Sequence, residues 1–215
     1  MNRWEAYDPD VFVGRQDILK EIARWADRPS VDKRLWSIVA PPGTGKTWLL
    51  KSAQRMLERS DETDLPLGQL VFWVDVPDLV NREETANLNN MLDHQAVWVW
   101  LKNVHRQALS FCAEVKPLDS DASVSRNIES IVTALCERCH LRYAPIVIVD
   151  AYDEVTPDPA SVVAERILEP FISKECVRML IGRRDDFALK RDALRRNQRV
   201  VKLDVFREAQ DAAGR

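Results

Sequence analysis

The stretch Leu35-Trp-Ser-Ile-Val-Ala-Pro-Pro-Gly-Thr-Gly-Lys-Thr47 leaves a chain few ways to fold. An apolar run of strand length ends on two prolines and a Gly-Thr-Gly turn. Directly after it, Lys46 and Thr47 open a segment whose apolar residues Leu49, Leu50, Ala53, Met56 and Leu57 recur at helical spacing. A buried strand that passes through a glycine turn into a helix is the start of a layered α/β arrangement. The turn also has a chemistry. Its successive backbone N–H groups can face phosphate oxygens, Lys46 can reach the β- and γ-phosphates, and the Thr47 hydroxyl can ligate Mg²⁺. The helix that follows presents its positive dipole end to the anion. Pro42, Gly43, Thr44, Gly45, Lys46, Thr47 and Trp48 are the expected phosphate cradle. Ala40 stands where the phosphate-loop pattern has Gly, and its methyl group matters if the backbone there needs positive φ.

The remaining chain supplies further strands and helices in alternation. Val11 to Val13 is a short apolar stretch, and Gln16 to Asp27 follows as an amphipathic helix. Leu70 to Val76 is a near-continuous apolar run, as in a parallel strand covered on both faces. A polar loop through Asn81 and Asn90 leads to a long helix from His94 to Val115. A polar connection from Pro117 to Ser125 offers Ser123 or Ser125 as an N-cap for a cysteine-bearing helix from Asn127 to Tyr143. Pro145 to Asp150 reads as the third strand, Ala160 to Ser173 as a helix, Val177 to Gly182 as the fourth strand and Val200 to Phe206 as the fifth. Such alternation gives a parallel sheet with right-handed crossovers, and ligands bind beyond the carboxyl ends of its strands.

Three groups of polar residues fall on that edge: the glycine turn, an acidic cluster after the third strand, and Arg183-Arg184 after the fourth. In Ile146-Val-Ile-Val-Asp150-Ala-Tyr-Asp153-Glu154, Asp150 ends a buried strand, where a carboxylate can hold Mg²⁺. Asp153 and Glu154 follow closely enough to orient or deprotonate an attacking water. A guanidinium at the end of the fourth strand can sense a γ-phosphate through bidentate contacts. Arg184 is favoured over Arg183 for this role, with Asp185 or Asp186 as alternative partners for either.

Composition narrows the field. The 215 residues suit one sizeable α/β domain, and a net charge of −3 indicates no general affinity for nucleic acid. The N-terminus lacks the apolar core of a signal peptide, and no apolar run approaches ~20 residues, so a cytoplasmic protein without a membrane span is expected. Cys136-Glu-Arg-Cys139-His140 matches a haem-attachment pattern, but nothing directs export. Zinc needs about four ligands, and no fourth is evident beside Cys136, Cys139 and His140. Cys112, Cys136, Cys139 and Cys176 are expected as buried or half-buried thiols.

The ordered set Phe12-Val-Gly-Arg15, Ala40-Pro-Pro-Gly-Thr-Gly-Lys-Thr47, Val149-Asp-Ala-Tyr-Asp-Glu154 and Leu180-Ile-Gly-Arg-Arg184 resembles the STAND class of P-loop ATPases, relatives of AAA+ proteins. The small residue after Asp150, followed by the Asp-Glu pair, looks most like the NACHT branch. The resemblance implies a three-layer α/β domain whose five-stranded parallel sheet has the order 5-1-4-3-2. It implies an adenine-wrapping segment and helix over residues 1–34, using Val13 and Arg15, and an NTPase core over 35–215. ATP or ADP and Mg²⁺ are the implied cofactors, with Lys46, Asp153, Glu154 and Arg184 acting on the nucleotide and Thr47 and Asp150 on the metal. The family's Thr-Ser before the closing arginine reads Gly182-Arg183 here. The helical lid, winged helix and sensor repeats that follow in the family do not appear before Arg215.

The function implied is a switch that hydrolyses ATP slowly and self-associates on activation, with sensor or effector domains or proteins as partners. Two other functions compete with it. A loader or remodelling ATPase would want a trans arginine finger and elements contacting nucleic acid or protein. A nucleotide-binding scaffold without turnover would use the helix bearing Trp98 and Trp100 as a docking face, although residues two apart point to different helix faces. The basic stretch from Arg195 to Arg199 is expected as a solvated helix end or a place where a lid packs.

Overall fold

The computed structural model describes residues 15–28, 32–58, 68–81, 91–139, 141–184, 189, 192–196 and 198–203. The short apolar stretch Val11 to Val13 lies outside them. The chain opens with α1 (Gln16–Asp27), whose buried face is Leu19, Ile22, Ala23, Trp25 and Ala26. β1 (Leu35–Val39) is buried at every position and hands over through the glycine turn to α2 (Lys46–Glu58). β2 (Val71–Asp75) runs into the short α3 (Val76–Leu79), and α4 (His94–Phe111) and α5 (Val124–Glu137) follow. β3 (Ile146–Asp150) and β4 (Arg178–Arg183) flank a helical segment made of α6 (Pro157–Val163), a π-helical turn (Ala164–Leu168) and α7 (Glu169–Ile172). The described residues end with α8 (Asp192–Arg196) and β5 (Gln198–Lys202).

The five strands form one sheet in the order β2-β3-β4-β1-β5, and every pairing is parallel. This is the expected 5-1-4-3-2 order. Alternation along each strand feeds two cores. Trp36, Ile38, Ile146, Ile148 and Leu180 pack with α1 and α2 on one face. Leu35, Val147, Val149, Met179 and Ile181 pack with α4, α5 and α7 on the other. Leu49, Leu50 and Leu57 of α2 are 0% exposed, each contributing about 1.5–3 kcal/mol by burial. Gly182 explains how closely α2 lies on β4. A Cβ there would meet Leu50 Cδ1 at 2.9 Å.

Several element ends differ from the sequence expectation for identifiable reasons. The helical segment expected from Ala160 begins at Pro157, because proline fits a helix's first turn. Pro170 has no N–H to give back along the helix. The Arg166 carbonyl, four residues earlier, instead accepts from Ser125 Oγ at 2.9 Å, and the π-helical turn sits at this place. Ser123 caps α5 by accepting from the Arg126 N–H at 3.3 Å. β5 begins two residues before Val200; residues 204–206 lie outside the described ones. Of the basic stretch, only Arg195 and Arg196 close a helix. Arg199 belongs to β5, pairs with Glu21 at 3.1 Å and lies 4.4 Å over the Trp36 ring.

The cysteines are not thiols. Cys112 bonds to Cys139 and Cys136 to Cys176, with Cα separations of 5.8 and 5.9 Å, within the range disulfides require. The helical spacing that suggested buried thiols breaks down because α5 ends at Glu137 and Cys139 lies beyond it. Trp100 donates its indole N–H to the Trp73 carbonyl at 2.9 Å, so this tryptophan covers an edge-strand oxygen. At the sheet's amino-terminal edge Arg178, 3% exposed, donates to the carbonyls of Trp25, Ala26 and Arg28 at the end of α1. Gln69 adds a bond to Ala26 O at 3.0 Å. Among the described residues no helix is long and apolar enough to cross a membrane.

Candidate nucleotide site

Parallel register brings Val39, Asp75, Asp150 and Arg183 to one edge. Asp75 pairs with Asp150, and Val39 with Arg183. Above that edge lies a cavity of about 740 Å³ lined by the glycine turn and by residues from the ends of β2, β3 and β4. Gly43 and Gly45 have φ of 76° and 78°, a conformation open to glycine without strain. Ala40 is not among the positive-φ residues, so its methyl group meets no backbone demand. Thr44 folds inward and donates to Pro41 O at 2.7 Å, which fixes the turn and keeps its side chain out of the lining.

Lys46 Nζ donates to Ala40 O at 3.0 Å and Pro41 O at 3.2 Å, and lies 4.0 Å from Asp153 Oδ2. Thr47 Oγ1 donates to Asp150 Oδ1 at 3.1 Å, joining the helix start to the end of β3. Ala151 continues the chain at φ 54°, a left-handed turn costing roughly 1–2 kcal/mol for a residue with a Cβ. That turn swings Asp153 and Glu154 back over the cavity, with the Glu154 N–H bonded to Ala151 O at 2.9 Å. Asp153 is 5% exposed, and its Oδ1 has no hydrogen-bond partner among the described residues. Its Oδ2 faces Arg184 Nε at 3.1 Å in an ion pair too bent for an aligned hydrogen bond, while Arg184 Nη2 donates to Asp153 O at 2.9 Å.

Burial pushes the Asp150 carboxyl above its usual range, against the opposing pull of the Thr47 hydrogen bond. Burial likewise raises Asp153, more than Lys46 and Arg184 pull it down. The lining holds four carboxylates, Asp75, Asp150, Asp153 and Glu154, against the two cations Lys46 and Arg184. Such a site favours a polyanion only together with a divalent cation, and hard carboxylate and hydroxyl oxygens suit Mg²⁺. Asp153 lines the same space and adds a second carboxylate beside Asp150. The residues present therefore fit a magnesium-bound phosphate group.

Of the residues expected from sequence, Pro42, Gly43, Gly45, Lys46, Thr47, Trp48, Asp150, Asp153, Glu154 and Arg184 converge on this cavity. Arg183 does not. It is 7% exposed, donates from Nε to Ser37 Oγ at 2.8 Å, and faces the opposite core. Arg15 caps α1 at φ 63° and is absent from the lining, and Val13 lies outside the described residues. Two residues were missed. Asp75 lines the cavity from the end of β2, and Lys51 places Nζ 3.5 Å over the Trp73 ring, where it feels both Asp75 and Asp150. Burial lowers the Lys51 pKa despite those carboxylates. The signal for both was periodic. Val71, Trp73 and Asp75 alternate onto the α2 face, and Lys51 lies one helical turn after Thr47.

Comparison with known proteins agrees with this fold. The sequence profile described as nephrocystin 3, N-terminal, matches residues 16–183. No curated protein matches the sequence significantly. Among solved structures, the Aeropyrum pernix ORC2 protein in ADPNP and ADP complexes is 19% identical with a TM-score of 0.55, over 93% of this chain and 49% of that one. A DNA replication initiation factor is 12% identical with a TM-score of 0.49, over 93% of this chain and 50% of that one. The FIGL-1 AAA domain in complex with ADP is 12% identical with a TM-score of 0.45, over 88% of this chain and 53% of that one. The chain spans about half the length of these proteins, and at such identities the likeness is one of fold, the α/β domain of P-loop ATPases. Matched over most of its length, the chain belongs to the nephrocystin 3 N-terminal family.

Proposed function

We propose that the chain is an ATP-binding, slowly hydrolysing switch core of the NACHT-like STAND type, which self-associates when its nucleotide state changes. The observation that carries this reading is the convergence of Lys46, Thr47, Asp150, Asp153 and Arg184 on one cavity at the carboxyl edge of the sheet. Lys46 and the N–H groups of the turn bind the phosphates. Thr47 and Asp150, already in contact at 3.1 Å, would hold Mg²⁺, which when bound would neutralise charge on the phosphates. Glu154 lines the cavity and takes a proton from the attacking water, while Asp153 beside it helps to orient that water. Arg184 bridges Asp153 and the place expected for the γ-phosphate. Its contacts with Asp153 must compete with any phosphate it binds, and this competition gives two states whose balance depends on the nucleotide.

Adenine is favoured over guanine by the resemblance of the segment containing Val13 and Arg15. Sensor and effector partners are part of the same proposal, as is a location in the cytoplasm. Titration calorimetry of the 215-residue chain with magnesium-ATP tests the reading, with Lys46→Ala as control. Binding by the native chain and none by the variant is expected. Equal affinity in the two rejects the site.

A further inference from the structure

The sequence motif left unused by the nucleotide site is Cys136-Glu-Arg-Cys139. It lies at the opposite edge of the sheet, beside a second cavity of about 730 Å³. The two disulfides meet this cavity differently. Cys136 and Cys176, bonded to each other, both line it. Of the other pair only Cys139 does; Cys112 is 5% exposed and packed into the core. Arg28, Arg34, Arg142 and Arg178 also line the cavity, against the carboxylates Asp27, Asp32 and Glu175. The lining therefore holds four arginines against three carboxylates, a balance that favours the entry of an anionic thiol.

A second set of contacts holds the partners of the exposed disulfide in place without it. Cys176 sits in the turn between α7 and β4. Arg34 Nη1 donates to Ile172 O at 3.1 Å and Lys174 O at 2.5 Å, which pins that turn. Lys174 Nζ in turn reaches Glu137 Oε1 at 2.7 Å, next to Cys136. Opening the sulfur–sulfur bond therefore leaves both cysteines facing one another.

We propose that this cavity is a thiol-exchange site, at which a small anionic thiol reversibly opens the Cys136–Cys176 disulfide. The incoming thiolate attacks Cys176 Sγ and bonds to it. The bond to Cys136 Sγ breaks, and its electron pair leaves on Cys136 as thiolate, which takes a proton from solvent. A second thiolate then attacks the added sulfur, releases Cys176 as thiolate and departs as the symmetrical disulfide of the small thiol. Two thiols are oxidised and one protein disulfide is reduced. Cys112–Cys139 opens more slowly, because only Cys139 Sγ lines the cavity and its opening would leave the Cys112 thiolate buried in the core.

Reduced glutathione is the probe. The folded chain is incubated with it, quenched with an alkylating reagent and mapped by peptide mass spectrometry. Glutathione on Cys176 and alkylation of Cys136, with Cys112 unlabelled, is expected. The proposal is overturned if Cys112 is labelled as early as Cys136, or if no adduct forms at concentrations that reduce the urea-unfolded chain. One zinc ion per chain on four free thiols would overturn it as well. Arg142→Glu, at an exposed position, tests the charge preference. The variant is expected to react more slowly with both reagents, since each attacks as a thiolate, and to lose severalfold more with glutathione, which carries further negative charge, than with 2-mercaptoethanol. Equal slowing with both reagents rejects an anionic thiol as the ligand.

Discussion

Gly182→Ala probes the contact that seats α2, and with it Lys46 and Thr47, on the sheet. The new Cβ would stand 2.9 Å from Leu50 Cδ1, and Leu50 is 0% exposed with packed neighbours on all sides. Relieving such an overlap in a full core costs about 1–3 kcal/mol. Gly182 has no positive φ, so alanine fits its backbone and recovers about 0.4–1 kcal/mol by restricting the unfolded chain. A net loss of roughly 1 kcal/mol follows, or about 2–4 °C in Tm for a domain of this size. Urea denaturation followed by tryptophan fluorescence measures it. The contact itself is isolated by adding Leu50→Ala, which alone costs about 2–5 kcal/mol. The double variant is expected to lose about 1–3 kcal/mol less than the sum of the singles, because removing the Leu50 side chain removes the overlap while the gain from the stiffer unfolded chain remains. Strict additivity, or a stabilised Gly182→Ala, would show that α2 does not rest on β4 in this way. If the overlap is instead relieved by lifting α2, the same variant also weakens magnesium-ATP binding.

Ala151→Gly relieves roughly 1–2 kcal/mol of strain in the left-handed turn after Asp150, offset by about 0.4–1 kcal/mol from the freer unfolded chain; a loss of more than about 1 kcal/mol in chemical denaturation would contradict the strain. Glu154→Gln should leave ATP affinity within about twofold and slow turnover at least about tenfold in a phosphate-release assay, as loss of a general base does; unchanged turnover removes Glu154 from the reaction. Asp150 and Asp153 both titrate above the ordinary aspartate value of 3.8 when folded. Their contribution to stability is therefore fully present below that value and lost as pH rises through the raised folded values. Without nucleotide, Asp153→Asn is expected to raise Tm at neutral pH and to flatten the fall in stability above pH 3.8. A lower Tm at neutral pH would mean that the contacts to Lys46 and Arg184 outweigh burial.

Much of the sheet was legible because its strands are short apolar runs bounded by turn residues. The glycine turn was legible because its chemistry is local in sequence. The choice between Arg183 and Arg184 was also within reach. Leu180 and Gly182 face α2, so two-residue alternation assigns Arg184 to the side of Asp150 and Thr47 and sends Arg183 towards Ser37. Alternation puts Asp75 on the α2 face, but its place beside Asp150 needed the pairing of β2 with β3, which no local pattern specifies. The disulfides were hidden for a related reason. Cys112–Cys139 spans 27 residues and Cys136–Cys176 spans 40, and only the packing of α4, α5 and the turn before β4 brings them together. The π-helical turn is different. Pro170 signalled an irregularity, but the hydroxyl that serves the Arg166 carbonyl comes from Ser125 on another helix.

The clasp of Arg178 on the last carbonyls of α1 works together with the buried face of that helix. Its 12 residues reach about 18 Å, from Arg15 to the clasp. Leu19 and Ile22 in the core, Glu21 on Arg199 and Gln69 on Ala26 hold it along that length. A displacement at Arg15 would therefore travel along a packed rod to Trp25, Ala26 and Arg28, beside the cavity that holds the cysteines.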